Sequence, residues 1–92
     1  MMTKEEIRGI RADLNLTQAQ FGQLLGVHEI TVSRWERGEF QPTPYQEVIM
    51  REFGKVARDK EVKAAIVGIL IGAGVIAALY YLFDKARKKK KR

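Results

Sequence analysis

Residues 16–38 read LTQAQFGQLLGVHEITVSRWERG, two short apolar-periodic stretches on either side of a glycine. Thr17 is followed three residues later by Gln20, a capping-box pair in which hydroxyl and carboxamide satisfy each other's backbone N–H groups at a helix start. Phe21, Leu24 and Leu25 then fall at helical spacing, as do Val32 and Trp35 further on. Gly26 follows the first stretch, where a tight turn takes positive φ without strain, and Gly38 ends the second as a C′ glycine. The spacing predicts helices over 18–25 and 29–36.

The same punctuation recurs on both sides. Thr3 pairs with Glu6 and Thr43 with Gln46, and Pro44 suits a first helical position. Helices near 4–14 and 44–53 follow, with Ile7, Ile10, Leu14, Val48, Ile49 and Phe53 at core-facing spacing. Asn15 separates the first two helices, and GEFQPTP (38–44) is a loop by composition. Phe21 and Trp35 read as core rather than as stacking platforms for a ligand. The fold class is all-α: a domain of four to five short helices over residues 1–54.

Ninety-two residues allow one small domain and an appendage. Net charge is +6, but residues 1–56 carry seven basic against eight acidic side chains, a net of −1. Residues 57–92 carry ten basic against three acidic, a net of +7. The basic balance therefore belongs to the tail and does not argue for nucleic acid binding by the first half. Cysteine is absent, which removes disulfides and thiolate metal sites. The first ten residues lack the apolar run of a signal peptide. No nucleophile–base pair, phosphate loop or carboxylate dyad occurs, and His28 has no partner at metal-ligand spacing. No enzyme activity, cofactor or small-molecule substrate is expected.

The quoted stretch resembles the Cro and lambda-repressor-like (XRE-type) helix-turn-helix family, whose pattern LTQ..LA..LGV....IS.WE.G it follows nearly in register. The likeness extends from about Lys4 to Phe53. It implies a lambda-repressor-like domain that binds double-stranded DNA, with the second helix of the pair in the major groove. Gly22 stands where the family usually has alanine, at the close crossing of the two helices, with Leu25, Val27 and Val32 filling the space between them. Gln18 resembles the glutamine that contacts a phosphate. His28, Glu29, Ile30, Thr31 and Arg34 occupy the positions that face base edges. Arg34 is the foremost of these, because a guanidinium pairs bidentately with guanine. Ser33 and Arg37 match backbone-contacting positions. Arg11 and Glu36 match an internal salt bridge. Two residues depart from the pattern. His28 replaces the usual Ser or Thr cap, and Glu29 either accepts from cytosine N4 or favours the helix dipole.

Residues 55–63, KVARDKEVK with Gly54 in front, read as a charged helical connector bending at that glycine. Residues 64–83, AAIVGILIGAGVIAALYYLF, hold no charge, and a helix of that length spans about 30 Å, the thickness of a bilayer core. They are expected to form a single apolar transmembrane helix that associates with membrane lipid. Tyr80 and Tyr81 suit its interfacial belt, and Ala64, Gly68 and Gly72 form a small-residue face suited to a homodimer. The polybasic tail, 84–92, favours the cytoplasmic side by charge, as the DNA reader must. The two demands conflict for one span. A span with the tail forced outward, a hairpin bent at Gly72–Gly74, and burial in a granule surface are the three resolutions. The expectation is a dimeric, membrane-associated transcriptional regulator at the cytoplasmic membrane, its DNA-binding domain facing the cytoplasm. The alternatives are a structural tether between DNA and a membrane or granule, and an interaction module that has lost DNA binding.

Overall fold

The computed structural model of the chain describes residues 1–72 and residue 84. Five helices follow in order: α1 (Lys4–Asp13), α2 (Gln18–Leu25), α3 (Glu29–Glu36), α4 (Pro44–Val56) and α5 (Lys60–Gly72). No strand occurs among the described residues. The all-α expectation holds, with five helices.

Their starts obey the capping chemistry. Both arms of the capping box are made at Thr3–Glu6, Thr17–Gln20 and Thr43–Gln46. The first three helices also end alike. Asn15, Gly26 and Gly38 have φ of 61°, 76° and 77°. At each, the residue after the left-handed one donates five residues back: Leu16 to Arg11, Val27 to Gly22, Glu39 to Arg34. The left-handed residue itself donates three back, to Ala12, Gln23 and Trp35 respectively. This is the Schellman closure, which satisfies the otherwise orphaned last carbonyls and reverses the chain within two residues.

Helix α2 packs on α3, α4 and α5, while α1 packs on α3 and α4. Phe21, Leu24, Val32, Trp35, Met50 and Phe53 are buried at the centre. The crossing of α2 and α3 is unusually close: a Cβ on Gly22 would stand 2.6 Å from the Val27 carbonyl oxygen.

Val48 is not core; it is 57% exposed. Helix α4 turns Ile49, Met50 and Phe53 inward instead, and Ala57 just beyond its end continues the buried stripe. Nor does the chain bend at Gly54, which lies inside α4 with the Ile10 side chain 3.3 Å from its Cβ position.

The turn comes at residues 57–59, where the Asp59 carboxylate accepts from the Glu61 and Val62 backbone N–H groups and opens α5. One turn apart on α5, Val62 and Ile66 are fully buried, and α5 packs on α2. The core thus runs past residue 54 and takes in the first turns of the apolar stretch. Ala64 and Gly68 lie exposed on α5, with open space around Gly68. Helix α5 has 13 residues, about 20 Å of rise. Among the described residues no helix is long and apolar enough to cross a membrane. Gly72 is the last residue of α5. Tyr80, Tyr81, the remainder of 64–83 and the basic run 85–92 lie outside the described residues.

Candidate nucleic-acid interface

Helix α3 has one buried and one open face. Val32, Trp35 and Glu36 point into the domain, whereas His28, Glu29, Ile30 and Arg34 are exposed. Thr31 and Ser33 are half-buried beside them. For 30 and 34 the division follows from helical period, since they lie opposite 32, 35 and 36, whereas His28 is exposed as the N-cap at the helix end.

Donors from three residues fix this helix in the domain, and they converge on Glu36, which is 2% exposed. The Arg11 guanidinium donates to both of its carboxylate oxygens, Nε to Oε2 at 2.6 Å and Nη2 to Oε1 at 2.9 Å. The Gln18 amide donates to Oε1 at 3.1 Å. Arg8 donates to the Glu36 backbone carbonyl at 3.0 Å. Burial pushes the Glu36 carboxyl up, but the hydrogen bonds from Arg11 and Gln18 and the charges of Arg11 and Arg8 outweigh it and hold the group below its ordinary value. The Arg11–Glu36 pair is the salt bridge that the resemblance implied. Gln18 belongs to the same cluster. An amide nitrogen carries two hydrogens, so its bond to Glu36 orients the side chain and leaves a second donor.

At the front of the helix His28 is the cap. Its Nδ1 accepts from the Ile30 backbone N–H at 3.1 Å, so the ring caps with that nitrogen unprotonated. Glu29, in the first turn, meets the positive end of the helix dipole. Ile30 is 53% exposed, an apolar side chain facing outward one turn before Arg34.

The two arginines of the interface are held differently. Arg37 donates to Ser33 Oγ at 2.6 Å and, through Nε, to Glu39 at 2.8 Å. Glu39 is held below its ordinary value chiefly by that hydrogen bond. Arg34 makes no such pair; its guanidinium lies over the Phe40 ring, 5.2 Å from the centroid. Phe40 and Glu39 were not among the residues that the sequence singled out, though the signal was present. A C′ glycine at 38 folds the next residues back over the last helical turn, and that is where Arg34 and Arg37 stand. Among the described residues no group of three or more His, Asp or Glu side chains is placed to hold a metal ion.

Residues 7–45 match the helix-turn-helix family model. The match covers most of α1, all of α2 and α3, and the first residues of α4, the part of the chain that builds this interface. It supports DNA binding by that part. It does not reach α5 or the apolar residues beyond. No curated relative and no solved structure matches the chain.

Proposed function

We infer that the protein is a sequence-specific, DNA-binding transcriptional regulator that lays the open face of α3 in the major groove. The observation that carries this reading is the split of α3. Its inner face is clamped to α1 and α2 through Glu36, and its outer face offers Ile30 and Arg34 with no buried partner. Guanidinium suits guanine O6 and N7, and an exposed aliphatic suits a thymine methyl. Gln18, Ser33 and Arg37 supply phosphate contacts around them. Two copies on paired half-sites about one DNA turn apart would add the binding free energies of two domains, each of modest affinity because residues 1–56 carry a net charge of −1.

The same chain is held at the cytoplasmic membrane with the DNA reader on the cytoplasmic side. This part rests on the composition of 64–83 and on the position of Ile66. With Ile66 in the core, seventeen uncharged residues remain through Phe83, about 25 Å of helix, near the lower limit for a span. The domain then stands directly on the lipid surface, with no free linker.

Genome-wide crosslinking of the full chain tests the reading, beside an Ile76→Lys/Leu79→Lys variant that leaves the described core untouched. A truncation at residue 60 is unsuitable, because it removes Val62 and Ile66 from the core. Sharp peaks sharing an inverted repeat in both proteins are the expected result. Broad occupancy that collapses in the variant indicates a tether instead, and enrichment in neither indicates a protein-interaction module.

A further inference from the structure

Arg34 is the cation best placed to read a base, yet it leaves α3 on a long side chain with four rotatable bonds. The structure gives it an unusual support. It has no hydrogen-bond or ion-pair partner among the described residues, because the nearby carboxylate of Glu39 is taken by Arg37 through Nε at 2.8 Å and Nη2 at 3.4 Å. The Phe40 ring lies against it, 5.2 Å from the guanidinium carbon, and the charge of Glu39 acts on it from a longer distance. A guanidinium within about 6 Å of a ring centroid is attracted by the ring quadrupole, and the contact leaves its in-plane N–H donors free.

The placement of Phe40 is written into the backbone. Gly38 takes φ 77°, Glu39 donates to the Arg34 carbonyl at 2.9 Å, and the chain reverses so that residue 40 lies over residue 34. Phe40 is 50% exposed, so core packing alone does not account for an aromatic ring there.

We propose that Phe40 is a positioning residue for base recognition: its ring holds the Arg34 guanidinium extended from α3 with its donors free, and so sharpens discrimination for guanine. The inference rests on the reading of α3 as the base-reading helix. Stacking a planar cation on a ring restricts its rotamers before DNA arrives, and less ordering is left to be lost on binding. Arg37, paired with Glu39 and Ser33, has to exchange those partners before it can meet a phosphate. The two arginines are thereby sorted into a base reader and a backbone contact.

The test uses the purified full chain in detergent micelles and DNA recovered by selection from a random duplex library. Binding to the selected site is compared with binding to the site in which each guanine pair is replaced in turn. Phe40→Leu, which keeps an apolar side chain but removes the ring, is expected to lower discrimination at one guanine per half-site by about two- to fivefold. Phe40→Tyr restores it, and Phe40→Leu has no such effect in an Arg34→Ala background. A Phe40→Leu protein that keeps full guanine discrimination overturns the proposal. So does one that loses affinity equally on every sequence, or that falls in thermal stability without a change in discrimination. If the wild-type chain selects no motif at all, the regulator reading fails, a result separate from these.

Discussion

Glu36 and Glu39 sit three residues apart at the end of α3 and do opposite things. Glu36 is buried and satisfied by donors from α1 and α2, so its charge works for the fold. Its carboxyl lies below the ordinary value of 4.5 in the folded protein, so it contributes stability above that pH and loses it as pH falls through 4.5 toward the folded value. Acid unfolding followed by circular dichroism should therefore steepen below about pH 4.5 in the wild type and flatten in Glu36→Gln. Arg11→Ala leaves the buried carboxylate uncompensated and is expected to cost about 3 kcal/mol, against a smaller loss for the neutral glutamine. Glu39 is exposed and paired with Arg37, so on the proposed reading it would compete with DNA phosphate for that guanidinium. Glu39→Gln frees that guanidinium and removes a negative charge from the interface. DNA affinity should rise, and the slope of log affinity against log salt should steepen by about one. Unchanged binding and slope would mean that Arg37 stays away from phosphate.

At the scale of elements, much was legible in the chain. Three Thr-x-x-Glu/Gln boxes set the starts of α1, α2 and α4, and the residues Asn15, Gly26 and Gly38 set three ends, because capping is local chemistry. What was not legible depended on tertiary contact. Val48 and Ile49 are both plausible core residues by type, and only the rotation of α4 against α1 and α2 decides between them. The charged residues 55–63 gave no sign that Ala57 and Val62 would be buried, since solvent-facing neighbours such as Arg58 and Lys60 mask two inward positions. The Phe40–Arg34 contact was hidden because it joins a loop to a helix. The crossing at Gly22 is an element-scale feature with its own consequence. Gly22→Ala gains about 1 kcal/mol of helix propensity but drives a methyl into the Val27 backbone carbonyl, a strain of about 1–3 kcal/mol. The net expectation is a stability loss of about 1 kcal/mol by urea denaturation, with a weakened DNA complex as α3 tilts away from α2. A stabilised Gly22→Ala protein would show that the crossing relaxes freely.

Among the described residues the molecule is a five-helix domain whose α5 begins in the core and takes in the first residues of the apolar run. Because Val62 and Ile66 are buried in the core, α5 packs on α2 as part of the domain. Placing two lysines in the run, Ile76→Lys/Leu79→Lys, adds about 5–7 kcal/mol to the cost of membrane insertion. Vesicle flotation should find the wild type with the lipid and the variant in the soluble fraction, each with the same domain stability. Flotation of both would place the lipid contact elsewhere, and flotation of neither would remove the membrane from the account. The domain's function turns on whether the open face of α3 reads bases. The most direct measurement is the Arg34→Ala protein on the wild-type selected site and on sites with each guanine pair replaced. The wild type is expected to lose about 5- to 150-fold at one pair per half-site, and Arg34→Ala to be indifferent to that same pair. Equal discrimination by both proteins would contradict this expectation.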